Sequence, residues 1–152
     1  MTDKNKLKVI IQSVNNNAPN NSCIIEIKLV NNSSDKITVN KRMAMGYKDS
    51  YEREIFVEIF DELGKEITDF PKVDYSRELA KENDYIQLKP GESIIKHYDI
   101  LEWYPLNASG KYWFKVQYQA DEEMLNYPGN VVKGICSSNI IEIQLDLKII
   151  TN

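Results

Sequence analysis

The clearest alternation of apolar and polar positions runs from Gly110 to Tyr118. There Tyr112, Phe114, Val116 and Tyr118 fall on one side, and Lys111, Lys115 and Gln117 on the other. A period of two belongs to a strand with one buried and one wet face, so this stretch predicts a central strand. Trp113 is the one apolar residue on its outer side. The same pattern recurs at Cys23, Ile25, Ile27 and Leu29 against Glu26 and Lys28. It returns at Ile141, Ile143, Leu145 and Leu147 against Glu142, Gln144 and Asp146, which places the last strand over Asn139 to Leu147. Leu7 to Val14 reads as a first strand at a sheet edge. Ile37 and Val39 begin a short strand with Thr38 and Asn40 facing out, and Ile55 to Phe60 is apolar except for Glu58.

Turn residues separate these runs. Asn15 to Asn21 is a loop by composition, Asn31 to Asp35 a turn, and Asp61-Glu62-Leu63-Gly64 a reversal that returns through Ile67. Pro90-Gly91 divides an extended run starting at Tyr85 from a strand over Ser93 to Ile100, because proline fixes φ and glycine permits the reversal. Leu101 to Leu106 forms a crossover, with Trp103, Tyr104 and Leu106 expected to plug the end of the core. Tyr112, just after Gly110, stands where a tyrosine corner would. Helix is limited to one turn over residues 76–81, with Ser76 as its cap. About seven antiparallel strands with no helix long enough to form a layer predict an all-β fold, a single immunoglobulin-like β-sandwich over 1–152 with its core at about 7–147.

Composition narrows the functional classes. With 152 residues, 42% of them hydrophobic and 28% charged, the chain suits one soluble domain with a proper core. Its net charge of -4, with lysines dispersed among acids, argues against a nucleic-acid partner. The polar start, Met1 to Lys6, leads into an apolar run too short for a signal sequence or membrane span, which predicts a cytoplasmic protein with no membrane partner. An exported protein whose signal had been removed would show the same start. Cys23 and Cys136 suit buried free thiols, with a bridge between sheets as the alternative.

Candidate chemistry is sparse. The single histidine, His97, falls mid-strand with no nucleophile or acid pair placed beside it, which favours a structural role. Asp121-Glu122-Glu123 and Asp61-Glu62 are acidic runs without the alternating ligands of a calcium loop, so no metal or cofactor is expected. No glycine-rich phosphate loop is present. The chain reads as non-enzymatic. Two long loops remain, 42–54 and 119–137. They carry Met43, Met45, Tyr47 and Tyr51 in the first and Met124, Leu125 and Tyr127 in the second, residue types enriched at protein interfaces. In an immunoglobulin-like topology both loops emerge at one end, which makes them a candidate partner-binding surface. The alternative is that these side chains fold back over the core. Trp113 is a second candidate, as a contact residue or a sugar-stacking platform. An exposed first or last strand would also allow a homodimer through edge pairing.

Four local motifs carry a resemblance. They are Leu29 to Ser33, Leu88 to Glu92, Gly110 to Tyr112 and Ser138-Asn139. Their order over residues 22–147 resembles bacterial immunoglobulin-like and fibronectin-III-like domains. It is similar in particular to the intracellular proteinase inhibitor family of bacilli, and to the immunoglobulin-like pro-segments of some deuterolysin-type metallopeptidases. The resemblance implies the sandwich and, for function, a protein-interaction module that inhibits a protease; it assigns no inhibitory residue. A carbohydrate-binding module and a structural or accessory domain are the alternatives.

Overall fold

The computed structural model describes residues 5–14, 22–48, 53–75, 78–120 and 130–147. The described residues are mostly β. Their strands are β1 (Leu7–Ser13), β2 (Ile24–Asn31), β3 (Ile37–Asn40), β4 (Ile55–Phe60), β5 (Tyr85–Leu88), β6 (Ser93–Asp99), β7 (Gly110–Gln119) and β8 (Ile135–Leu145). One helical turn, α1 (Ile100–Trp103), follows β6. No helix among the described residues is long and apolar enough to cross a membrane.

Six strands form one sheet in the order β4-β7-β8-β1-β2-β6, and β3 pairs with β5 in a second. The large sheet curls into a half-barrel. Ile55 and Ile59 from one of its edges join Ile25, Ile27 and Leu29 from near the other in a single core, together with Ile37, Val39 and Leu88 of the small sheet. The alternation in β2 and β7 is as expected: Ile25, Ile27, Leu29, Phe114, Val116 and Tyr118 point into this core.

Specific side chains fix the joints. Asn31 is buried at the end of β2, where its amide donates to the carbonyls of Asp35 at 2.7 Å and Leu88 at 2.9 Å, and its oxygen accepts from the Ser33 amide at 2.9 Å. This turn is thereby tied to the end of β5. The Tyr112 hydroxyl donates to the Ala108 carbonyl at 2.6 Å, the bond of a tyrosine corner. Tyr104 is buried as expected; its hydroxyl donates to the Gly46 carbonyl at 2.6 Å and accepts from the Val57 amide at 3.0 Å.

The Ser138-Asn139 pair stitches β8 on both sides. A bulge in β7 between Lys115 and Gln117 leaves the Val116 amide to donate to the Ser138 hydroxyl at 2.8 Å. On the other side the Asn139 amide group accepts from the Ile11 N–H at 2.8 Å and donates to the Ile11 carbonyl at 3.0 Å. A side chain here completes the ladder where β1 and β8 share one parallel pairing, Val9 with Ser138.

Four expectations need correction. β1 is not an edge, because it lies between β8 and β2; the strands at the sheet's ends are β4 and β6, so neither the first nor the last strand offers a free edge for dimerisation. Thr38 and Asn40 are buried rather than exposed to solvent: residues 130–132 bond along the Thr38 main chain and the Tyr118 hydroxyl accepts from the Asn40 amide at 2.8 Å. The last strand starts at Ile135, four residues before Asn139, and ends at Leu145. Of the helical turn expected over 76–81, residues 78–81 are not helical and a 3₁₀ turn follows at Glu82–Asp84; Ser76 and Arg77 lie outside the described residues.

Candidate functional site

The described start of the loop that follows β3, residues 41–48, packs against its own domain. Met43, Met45 and Tyr47 are 1%, 3% and 4% exposed, which corrects their assignment to a partner-facing surface. A tight turn with φ of 43° at Met43 drives the chain inward, and the Tyr98 hydroxyl donates to the Met43 carbonyl. Met45 is bridged to Ile55, beside β4. Tyr47 donates to the Trp103 carbonyl at 2.9 Å and accepts from the Val73 amide at 2.6 Å, within a cluster of rings that includes Phe70 and Tyr104. Tyr51, Met124, Leu125 and Tyr127 lie outside the described residues.

Trp113 stands on the outer face of β7, half-buried, as its phase predicts. In register beside it is Phe60 of β4, and Ile140 of β8 pairs with Lys115 one step along the same face. Ile140 is 58% exposed. These three side chains, with the turn after β4, line a groove of about 420 Å³. Farther along the same face the character changes to a polar ladder, in which the Ser137 hydroxyl donates to Gln117 and the Gln117 amide donates to Glu58 at 2.6 Å. Two other exposed apolar residues of the sheet, Ile95 of β6 and Ile135 at the start of β8, lie outside this groove.

The turn residues shape the rim. Asp61 accepts from the Leu63 amide at 2.9 Å and the Lys65 amide at 3.0 Å, and Gly64 takes a φ of 76° that suits glycine. Glu62 accepts from the Lys111 amide at 3.0 Å, which locks the turn to the start of β7. Asp61 and Glu62 are the charged residues lining the groove, so an apolar floor meets an acidic rim. Leu63, at the tip of the turn, is 91% exposed. Phe60 and Ile140 were not singled out in sequence; the Ile140-Ile141 doublet, which puts one isoleucine on each face of a strand, is the signal that points to the latter.

The remaining candidate groups have structural partners. His97 lies on the outer face of β6 with Nε2 3.2 Å from Glu26. Cys23 and Cys136 are buried and unbridged, and burial, with the nearby Asp99 charge, pushes the Cys23 thiol up to about 12. Among the described residues no group of three or more His, Cys, Asp or Glu side chains is placed to hold a metal ion; Asp121-Glu122-Glu123 lies outside them. No protein-family model matches the chain, and no curated protein matches it in sequence.

Proposed function

We propose that the protein is a non-enzymatic interaction module built on an immunoglobulin-like sandwich, and that its contact face is the groove around Trp113. The observation that carries this is a groove on the outer side of the sheet floored by Phe60, Trp113 and Ile140, of which Ile140 is 58% exposed. Support for the sandwich comes from β1, which pairs with β2 on one side and meets β8 on the other through one pairing, and from the tyrosine-corner bond at Tyr112.

The groove suits a protein partner that presents an apolar side chain next to a lysine or arginine. Covering the apolar surface of this groove would contribute on the order of 2 kcal/mol before the costs of association, an anchor within a larger interface rather than an interface by itself. The acidic rim would favour a basic neighbour in the partner and repel an acidic one. Protease inhibition is the particular form of such binding that the resemblance to the bacillar inhibitors suggests.

Panning a random peptide-display library on the wild type, with counter-selection on a folded Trp113→Ser/Ile140→Ser variant, tests this. Enrichment of aromatic or aliphatic residues flanked by Lys or Arg, lost on the variant, is the expected result. Equal recovery on both proteins would refute it. Trp113-dependent binding to an oligosaccharide array, without any selected peptide, would replace the protein partner with a sugar.

A further inference from the structure

The two ends of the six-stranded sheet differ. At β4 the edge is covered: the Ile55 N–H donates to the Ala44 carbonyl at 3.0 Å, and the Ile55 and Ile59 carbonyls accept from Gly46 and Ile67, both at 2.8 Å. At β6 it is open. The Asn31 N–H donates to the Glu92 carbonyl and the Ile100 N–H to the Cys23 carbonyl, both at 2.9 Å, which fixes the phase of the β2–β6 ladder. Bonded pairs alternate along antiparallel strands, so Ile94, Lys96 and Tyr98 turn their N–H and C=O groups to β2, whereas Ser93, Ile95 and His97 turn theirs away. These outward groups have no bonding partner among the described residues.

Exposure agrees with this phase. Ile95 is 51% exposed, and Lys96 and His97 are exposed beside it although neighbouring residues of a strand face opposite ways. An unpaired edge carrying an exposed isoleucine is a template for another strand unless something blocks it. A charge on the inward row is a common block. Here the Lys96 ammonium is drawn along its own strand, donating to the Arg42 carbonyl at 2.8 Å and lying 5.4 Å from the centroid of the Tyr98 ring. On the outward row, Glu26 of β2 accepts from Gln12 at 2.6 Å and stands 3.2 Å from His97, so its charge is engaged within the chain.

We propose that the edge of β6 pairs antiparallel with the same edge of a second copy of this chain, about a two-fold axis at Ile95. The strand is self-complementary in this register. Ile95 lies against Ile95 of the second copy, Ser93 against His97, and Ile94 against Lys96, so no like charges meet and the outward N–H and C=O groups of Ser93, Ile95 and His97 are all satisfied. An axis at Lys96 would set two lysines opposite each other, and one at His97 would set Ile95 against Asp99. Moving the axis towards Ser93 would carry His97 past the end of the second strand. This interface is separate from the Trp113 groove, which lies on β4, β7 and β8, and does not depend on it.

The test is sedimentation equilibrium of the full chain up to about 1 mM, where a monomer–dimer equilibrium with a Kd on the order of 100 μM or tighter is expected. Ile95→Lys, which puts like charges on the axis, should weaken it ~10-fold or more, while Trp113→Ser/Ile140→Ser should leave it unchanged. Matching unfolding midpoints in dilute solution establish that the variants are folded. As concentration rises, the Ile95 and His97 amides should gain hydrogen-exchange protection, and those of Ile94 and Lys96, already bonded to β2, should change little. Under oxidised glutathione, Ile95→Cys should cross-link two copies, because a bonded pair holds its Cα atoms about 5.5 Å apart, and His97→Cys should not. The native thiols are buried. A monomer at every concentration, a dimer equally strong with Ile95→Lys, no protection gained at Ile95 and His97, or cross-linking as efficient through His97→Cys would each overturn the proposal.

Discussion

Replacing Tyr104 with Phe removes one oxygen atom and leaves the ring in place, yet the structure makes it a costly change. The hydroxyl serves two buried backbone groups at once, as donor to the Gly46 carbonyl and acceptor from the Val57 amide. Tyr104 is 2% exposed, so water cannot readily take over either bond. An unpartnered buried backbone group costs about 1–3 kcal/mol, which puts Tyr104→Phe at roughly 2–5 kcal/mol. Tyr112→Phe is the control. Its hydroxyl makes one bond, to the Ala108 carbonyl at a partly buried site where water can substitute, and about 0.5–1.5 kcal/mol is expected. Urea unfolding followed by circular dichroism reads both, with unchanged m-values showing that only stability has moved. A loss below about 1 kcal/mol for Tyr104→Phe, or equal losses for the two variants, would refute the two-bond reasoning.

Glu54→Gln should destabilise by roughly 3 kcal/mol, the low end for a broken buried pair because Arg42 keeps some exposure, and Arg42→Met/Glu54→Gln should recover part of it in a double-mutant cycle by urea unfolding. Asn139→Ala should cost about 1–2 kcal/mol and should specifically lower hydrogen-exchange protection of the Ile11 amide, which the Asn139 oxygen accepts. Cys23 keeps its proton in the folded state up to about 12 against 9.0 for an ordinary thiol, so its contribution is fully present below pH 9 and is lost as pH rises towards 12. Stability should fall in that window with a slope of up to about 1.4 kcal/mol per pH unit from this group, and Cys23→Ala should remove that part of the slope. The native thiol should also resist alkylation at neutral pH.

Strands were legible wherever one face meets the core and the other meets water, as in β2 and β7. What failed depended on distant neighbours. Thr38 and Asn40 carry polar side chains at positions that read as outward, but residues 130–132 and the Tyr118 hydroxyl close over them. Nothing local to Leu7–Ser13 reveals that β8 lies alongside it, because that contact is made through the Asn139 side chain. Loop composition singled out Met43, Met45 and Tyr47 without fixing which way they face. Their inward course is held by Glu54 on the Ala44 amide and by Tyr98 on the Met43 carbonyl. Trp113 was visible as an outward aromatic on a regular strand. Its companions were hidden because Phe60 ends a nearly continuous apolar run and Ile140 sits beside an inward-phase isoleucine, and only pairing across β4, β7 and β8 gathers them.

The most direct measurement for the contact face is a pair of titrations read at the Trp113 indole resonance, with the resonance of Trp103, which does not line the groove, as the internal reference. The probe is a short peptide with phenylalanine between two lysines, compared with the same peptide carrying glutamates in place of the lysines. A groove with an apolar floor and an acidic rim predicts a saturable shift at Trp113 for the lysine peptide, a much weaker one for the glutamate peptide, and no shift at Trp103 with the lysine peptide. No shift at Trp113, or equal shifts with both peptides, would contradict it.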